Sequence, residues 1–228
     1  MLEILRVNLL GLDDDQRFMV GGVEQVPRGL WTRAPRSLMH WPKGTTLEKL
    51  HGGSTLPGVV KVHREGTDGQ FVITDRWGRS EKYDAIISTC QSWLMTTSMD
   101  FEERLLSQKM WMALDRTRYM QSSKTFVMVD RPFWRDRDPK TGREVMSVTL
   151  TDRMTRGTYL FENGPNEPAV ICLTYSWMSD ALKMEPLSVE KRVELALDSL
   201  RKIYPDVDIA KHIVGNPITV SWESDENF

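Results

Sequence analysis

Residues 122–129, Ser-Ser-Lys-Thr-Phe-Val-Met-Val, constrain the fold of this chain more than any other segment. Apolar and β-branched residues follow Lys124, and a proline turn carrying Phe133 and Trp134 closes the run, which predicts a short buried strand. Burial disfavours the ammonium form of a lysine side chain. Lys124 therefore either extends its head group to water or is held for a polar task inside a site.

The composition is that of a soluble globular protein and excludes several classes. The 228 residues are enough to bury the core of one large domain or two small ones, and 40% hydrophobic with 27% charged residues is an ordinary balance. Lys and Arg number 30 against 32 Asp and Glu, so there is no basic excess to attract nucleic acid or an anionic membrane. Neither is expected as a partner.

The cysteines and histidines predict no disulfide framework and no metal site. Cys90 and Cys172 are the only cysteines in the sequence, too few for a disulfide scaffold and without the Cys-x-x-Cys spacing of zinc sites. His40 and His51 have no partner at metal-ligand spacing. The opening residues lack the layout of a signal peptide and no apolar run approaches transmembrane length, so a reducing, cytoplasmic location is expected.

The first quarter of the chain predicts helices joined by irregular segments. Leucines at helical spacing in residues 1–10 predict the last turns of a helix. The pair Gly21-Gly22 predicts a turn that leads into a second helix. Residues 29–57 are rich in Pro, Gly, Trp and Arg, which indicates an irregular connection with a short helix at residues 46–50.

Strands are predicted from residue 58 onward. Residues 59–63 and 71–74 flank a glycine-rich turn and predict a hairpin. Residues 83–89 predict a buried strand of a mainly parallel sheet, and residues 101–116 predict a helical connector.

The second half predicts an antiparallel sheet and one regular helix. Ser188 is the predicted N-cap of that helix, and Pro205 ends it. The apolar stripe of the helix indicates core packing and not a site. The stripe consists of Val189, Val193, Ala196, Leu197, Leu200, Ile203 and Tyr204. Strands are predicted at residues 145–150, 158–161, 169–175 and 218–222, the first three antiparallel because their connections are short.

The order Ser-Ser-Lys-Thr-Phe-Val followed by Phe-Trp resembles the flavin amine oxidase superfamily, in particular the L-amino-acid oxidases and the tryptophan and phenylalanine 2-monooxygenases. In that family a lysine that opens this strand holds a water against the flavin N5, and Lys124 is the matching position. Tyr175 matches the tyrosine whose hydroxyl binds the substrate carboxylate. From the residues alone, Tyr175 could instead end a strand with its hydroxyl in water.

The resemblance also implies flavin contacts. Trp222 matches a tryptophan that lies against the flavin near its reacting face, and Gly21 and Gly22 match a Gly-Gly segment that lies on the flavin. By the same match, Val59 would give a backbone contact to the adenine. The plain alternatives are a core position for Trp222, an ordinary turn at the glycines, and an edge-strand valine.

The fold class implied is α+β, with a mixed or antiparallel substrate-binding sheet, helices, and part of a Rossmann-like FAD-binding domain. Residues 1–19 would end a helical segment, residues 20–116 would form part of the FAD-binding domain with a β insert, and residues 117–228 the substrate-binding domain. The sequence lacks the Gly-x-Gly-x-x-Gly turn that seats a dinucleotide pyrophosphate, the upstream arginine that binds the substrate carboxylate in related enzymes, and the late Gly-rich flavin segment. We therefore expect a fragment of a longer enzyme.

The function implied is oxidation of the Cα–N bond of an amino acid, by hydride transfer to FAD with O2 as acceptor. The expected partners are the amino acid, O2, and the rest of the enzyme or a second chain from the same precursor, with a homo-oligomer when complete. Two other functions remain open. One is a non-catalytic β-rich interaction module, and the other is part of an amine or polyamine oxidase, which would not need Tyr175 as a carboxylate anchor.

Overall fold

The computed structural model describes residues 19–53 and 58–222, and these residues divide into two compact units. The N-terminal unit runs as far as Thr117, and the C-terminal unit begins at Arg118. The helix predicted in residues 1–10 lies outside the described residues. No helix in the described part of the chain is long and apolar enough to cross a membrane.

The described helices of the N-terminal unit are short, and two of them begin at a side-chain cap. The Gly21-Gly22 turn has φ values of 85° and 90°, a conformation that glycine adopts without strain, and a helix follows it as predicted. The side chain of Thr46 accepts a hydrogen bond from the Lys49 backbone N–H, and Ser107 does the same for Met110. Among the residues that the structure describes, the helices of this unit are α1 (Gln25–Thr32), α2 (Leu47–Leu50), α3 (Ser92–Thr97) and α4 (Gln108–Arg116).

A four-stranded sheet forms the rest of the N-terminal unit. Its strands are β1 (Val59–Arg64), β2 (Phe71–Asp75), β3 (Ser80–Tyr83) and β4 (Asp100–Phe101), in the order β3-β2-β1-β4. β1 and β2 pair antiparallel, which confirms the predicted hairpin, and β4 pairs parallel to β1.

Two predictions for the N-terminal unit are wrong. Residues 83–89 are not a buried parallel strand, because β3 ends at Tyr83 and the side chain of Ile87 is 88% exposed. No described strand lies beside residues 84–89 to pair their backbone, and an apolar, β-branched composition does not replace such a partner. The predicted helical connector begins only at Gln108, since Phe101 belongs to β4.

The C-terminal unit is built on a five-stranded antiparallel sheet. Its strands are β5 (Ser122–Val129), β6 (Thr149–Leu150), β7 (Gly157–Phe161), β8 (Ala169–Trp177) and β9 (Ile213–Ser221), in the order β6-β7-β8-β5-β9. The strand that carries Lys124 is therefore paired on both sides, and it is largely buried, as its apolar sequence predicts. The strand predicted at residues 145–150 is shorter than expected, because the Val145 N–H donates to the Asp136 carbonyl in a loop and only Thr149–Leu150 pair with β7.

Two helices follow β8, α5 (Ser179–Met184) and α6 (Val189–Arg201). The Ser188 side chain accepts a hydrogen bond from the Lys191 N–H, which confirms the predicted N-cap of α6. Ala196 and Leu200 of this helix belong to the main core, together with side chains of β5 and β8. The other buried core residues include Val127, Val129, Phe133, Trp134, Met146, Ile171 and Leu173.

Candidate functional site

The central strands of the C-terminal sheet have two unlike faces. Lys124 pairs with Tyr175 on β8 and with Val220 on β9. Because side chains alternate along a strand, residues paired directly across the sheet project to the same side. One side is closed by the core and α6. Lys124 lies on the other side, where its own side chain and that of Tyr175 are half-buried.

The amine of Lys124 lies over one ring of an aromatic cluster. Its Nζ lies 4.3 Å from the ring centroid of Tyr175, a cation–π distance. The Tyr175 ring contacts Trp177 at 4.3 Å and Tyr159 at 6.2 Å between centroids. We call these four residues, Lys124, Tyr159, Tyr175 and Trp177, the Lys124 face. Together they form an amine set on an aromatic wall.

The amine of Lys124 has no ionic partner among the described residues. The ion pairs of the described residues do not include Lys124. A half-buried lysine that only needs solubility would extend to water or pair with a carboxylate. Lys124 instead lies over an aromatic ring, which leaves its N–H groups available to a ligand.

Trp222 lies one residue beyond the end of β9. Ser221, its neighbour in sequence, pairs with Ser123 on β5, and the Trp222 side chain is 36% exposed. Three of the predicted site residues therefore come from three adjacent strands. Lys124 and Tyr175 are in contact, and Trp222 lies just past the end of the third strand, exposed and not in the core.

Two strained residues flank Tyr175, and sequence analysis missed both. Arg156 has φ 53° and Met178 has φ 52°, a region that non-glycine residues rarely adopt. The Tyr175 N–H donates a hydrogen bond to the carbonyl of Thr155, the residue before Arg156. The Arg156 guanidinium forms an ion pair with Asp180 at 2.7 Å. Strain of this kind persists where surrounding contacts hold it, and it concentrates at functional sites. No sequence signal marks an Arg or a Met for positive φ.

Sequence analysis also missed a polar layer beneath the Lys124 face. Ser123, Thr125, Thr174 and Ser176 are each at most 1% exposed, and Thr219 and Ser221 on β9 pair with the first two. We call these six residues the hydroxyl cluster. Arg192 of α6 is 5% exposed and donates to three of them. Its position gives a signal that could have been read, because Arg192 lies four residues before Ala196 on the buried stripe.

Cys172 of β8 is buried in the sheet, where it pairs with Phe126 and Tyr159, and its thiol is chemically inert. Burial raises the pKa of its thiol to about 12, against a smaller opposite effect of nearby Lys124. The Sγ atom donates to the Thr174 carbonyl at 3.2 Å. A thiol with so high a pKa has almost no thiolate near neutral pH, so it is not a nucleophile.

The remaining predicted contacts lie in the N-terminal unit. Gly21 and Gly22 form an exposed turn before α1. Val59 begins β1 and is half-buried. It lines a cavity of about 270 Å³ together with Leu50, Ile73 and Tyr83. These positions are compatible with a backbone contact to a planar ligand.

The C-terminal unit also fits a planar, redox-active ring. The Lys124 face offers aromatic surface and an amine without an ionic partner among the described residues, groups that suit a flat ring with polar nitrogens. A buried carboxylate beside the amine would have argued against this fit, and none of the described residues places one there.

The fold is that of the FAD-dependent amine oxidases. Cyclohexylamine oxidase from Brevibacterium oxydans IH-35A superposes with a TM-score of 0.56 over 75% of this chain and 35% of that chain, at 14% identity. A putrescine oxidase mutant with redesigned cofactor binding superposes with a TM-score of 0.59 over the same shares, at 16% identity.

The curated proteins with a similar sequence include tryptophan 2-monooxygenases and an L-amino-acid oxidase. Tryptophan 2-monooxygenase of Pantoea agglomerans pv. gypsophilae is 27% identical over 93% of this chain and 35% of its own length. The enzyme of the same name from Pseudomonas savastanoi is 27% identical over 89% of this chain and 34% of its own length. An L-amino-acid oxidase of Siganus canaliculatus is 26% identical over 64% of this chain and 27% of its own length. The chain spans about a third of the length of the curated relatives it matches.

The sequence profile of the flavin containing amine oxidoreductases matches residues 1–228, and the protein belongs to this family. The α+β fold class and the family resemblance predicted from the sequence are thereby confirmed. The family's flavin also supports the cofactor that the sequence predicts, FAD.

Proposed function

We propose that this chain contributes the substrate-binding wall and the Lys124 amine of a FAD-dependent enzyme that oxidises the Cα–N bond of an L-amino acid. One observation carries the proposal. The Lys124 Nζ lies 4.3 Å from the Tyr175 ring on a half-buried aromatic face, without a carboxylate partner among the described residues. That arrangement places a polar hydrogen-bonding group beside a flat apolar surface.

The chemistry assigns a distinct task to each residue. Bound FAD would supply the acceptor for the hydride that leaves the substrate Cα. The Tyr175 hydroxyl binds the substrate carboxylate, and the rings of Tyr175 and Trp177 hold the side chain and keep water away. Trp222 closes the site from β9. Lys124 donates hydrogen bonds to the water beside the reacting atoms and stabilises negative charge as it develops on O2.

Aromatic amino acids are the proposed substrate class. The Lys124 face holds three aromatic rings, with those of Trp177 and Tyr159 at 4.3 Å and 6.2 Å from the Tyr175 ring, which favours an indole or phenyl side chain over a small aliphatic one. The relatives named tryptophan 2-monooxygenase support the same class. The imine product hydrolyses to a 2-oxo acid and ammonia in an oxidase, whereas a monooxygenase yields an amide, and either outcome is compatible with the site.

An amine oxidase is the second candidate. Two solved structures that share the fold are a cyclohexylamine oxidase and a putrescine oxidase, which favours this class, but they are only 14% and 16% identical to this chain. The two candidates differ in one requirement, because only an amino-acid enzyme needs an anchor for a substrate carboxylate.

The rest of the flavin site is proposed to come from further residues of the same protein or from a second chain. Gly21, Gly22 and Val59 would contribute the contacts of the N-terminal unit to the cofactor. A dinucleotide pyrophosphate is usually held at a Gly-rich turn before a helix, and this sequence contains no Gly-x-Gly-x-x-Gly motif.

Anaerobic mixing tests the proposal. The flavin-loaded protein that contains this chain is mixed with L-tryptophan, L-phenylalanine or tryptamine, and loss of flavin absorbance is followed in a stopped-flow instrument. We expect both amino acids to bleach the flavin and tryptamine to react far more slowly. Fast bleaching by tryptamine would favour the amine oxidase, and a protein that retains FAD but is bleached by none of the three would overturn the proposal.

A further inference from the structure

Arg192 is a buried cation for which the proposed reaction has no direct use. Arg192 is 5% exposed, and it lies on the buried stripe of α6 that continues through Ala196 and Leu200. Arginine is rarely buried to this extent unless it is paired. The contacts it makes in the C-terminal unit therefore need an explanation.

The guanidinium of Arg192 is held by neutral oxygens. Its Nη1 donates to the hydroxyls of Thr219 at 2.9 Å, Ser221 at 3.0 Å and Ser123 at 3.4 Å. Its Nε donates to the Leu187 carbonyl at 3.1 Å, and its Nη2 donates to the Glu185 carbonyl at 2.8 Å. Among the described residues Arg192 forms no ion pair with a carboxylate, so it acts as a rigid fork of donors that joins several segments.

One of these contacts leads directly to Lys124. The Thr219 hydroxyl, which accepts from Arg192, donates to the backbone carbonyl of Lys124 at 3.1 Å. A second contact reaches Ser123, the residue before Lys124, whose hydroxyl also lies 3.2 Å from that of Ser221. The backbone that presents Lys124 is thus fixed from the side of the sheet opposite to its amine.

We propose that Arg192 is a positioning residue, which acts through the hydroxyls of Thr219, Ser221 and Ser123. These contacts fix the start of β5 and the end of β9, and thereby the placement of Lys124 and Trp222. The inference rests on the proposed function, because it assigns Arg192 to the site at which Lys124 acts. A displacement of about 1 Å in a reacting group costs an enzyme up to roughly 100-fold in rate. A rigid support beneath Lys124 is therefore functionally important.

Three variants separate positioning from general stability. Arg192→Met removes the whole fork, and Arg192→Lys restores a charge and up to three donors on a more flexible stem. Thr219→Val removes only the hydroxyl that links Arg192 to the Lys124 carbonyl. Thr158→Val is the matched control, since it removes another buried hydroxyl from the same sheet, one that donates to the Leu173 carbonyl at 3.0 Å.

The first measurement is the rate constant for flavin reoxidation by O2 in the flavin-loaded protein. We expect Arg192→Met and Thr219→Val to lower it roughly 10-fold or more, with Arg192→Lys between them and wild type, and with a smaller effect on flavin reduction. A residue with only a structural role would lower the amplitude of the reaction, as less protein folds, and leave the rate constant unchanged. Unchanged rate constants in Thr219→Val and Arg192→Met would overturn the proposal.

The second measurement needs neither flavin nor substrate. Amide hydrogen exchange at residues 122–125 and 218–221 is expected to accelerate in Arg192→Met and Thr219→Val, while residues 157–161 of β7 keep the wild-type rate. If Arg192→Met does not fold, Thr219→Val decides the outcome. Uniform acceleration over the whole sheet, or none, would overturn the positioning role. Local acceleration in a protein whose flavin is not reduced by amino acids would support the positioning and refute the proposed substrate instead.

Discussion

Tyr175 combines two roles at the scale of a single residue. Its ring lies under the Lys124 amine, and we propose that its hydroxyl binds the substrate carboxylate. Tyr175→Phe separates these roles, because phenylalanine keeps the ring and loses only the hydroxyl. A hydrogen bond to a charged group contributes about 1.5–3 kcal/mol, so the variant should bind an L-amino acid roughly 10-fold or more weakly.

The dissociation constant from the concentration dependence of anaerobic flavin reduction measures this effect. Tyr204→Phe is the control, since it deletes a hydroxyl that lies 2.6 Å from the Thr149 hydroxyl, away from the Lys124 face. Equal affinities for the amino acid in wild type and Tyr175→Phe would remove Tyr175 from the carboxylate site.

The two cysteines should differ in reactivity. Burial raises the pKa of Cys172 to about 12, whereas Cys90 is exposed, beside the Ser88 hydroxyl at 3.0 Å. We expect a disulfide reagent to titrate one thiol at about pH 8 in the folded chain and two after denaturation. Rapid modification of Cys172 in the folded chain would show that β8 is not packed as described.

Residue roles were only partly accessible from sequence. Lys124 stood out because a lysine at the mouth of an apolar strand is unusual. Its contact with Tyr175, 51 positions later in the chain, depends on strand pairing that no local pattern specifies. Arg192 has the spacing to Ala196 that places it on the buried stripe, but a charged side chain is usually exposed, so composition alone does not mark it as a core residue.

At the scale of elements, the prediction succeeded where local signals were strong. β5 begins and ends at the predicted residues, and α6 begins at its predicted cap. The strand prediction for residues 84–89 was wrong because a strand needs a neighbouring strand to pair its backbone, which an apolar sequence alone cannot supply. The strand prediction was also wrong for residues 145–148, because the Val145 N–H donates to a carbonyl in a loop and not to a neighbouring strand.

The turn after β5 should make the C-terminal unit sensitive to acid. Arg135 pairs with Glu162 at 2.7 Å and lowers the pKa of that carboxyl from its ordinary value of 4.5, and the Trp134 Nε1 donates to the same group. Because the pKa of Glu162 is lower in the folded state, its ionised form stabilises the fold at neutral pH. This contribution is lost as the pH falls below 4.5 through the folded-state pKa.

Glu162→Gln tests this element. The variant should have a lower Tm than wild type at about pH 7, by an amount that reflects about 1 kcal/mol or less, because Arg135 is largely exposed to water. The two Tm values should converge as the pH falls below 4.5. A difference that persists unchanged at low pH would show that the carboxylate charge is not the cause.

At the scale of the whole molecule, the predicted site residues are divided between the two units. The C-terminal unit holds the Lys124 face, and the N-terminal unit holds Gly21, Gly22 and Val59. Family membership rests on the whole sequence, whereas the roles of single residues rest on the geometry of one sheet. Within the C-terminal unit, the proposed role of Lys124 is in the reaction with O2.

Stopped-flow kinetics of flavin reduction and flavin reoxidation in Lys124→Met test this role. Lys82→Met is the control, since it removes an exposed strand lysine that pairs with Glu65 at 2.7 Å. We expect Lys124→Met to slow flavin reoxidation roughly 100-fold and flavin reduction only a few-fold, because the role proposed for the amine is to stabilise charge that develops on O2. Equal slowing of both half-reactions, or no slowing of reoxidation, would contradict the account.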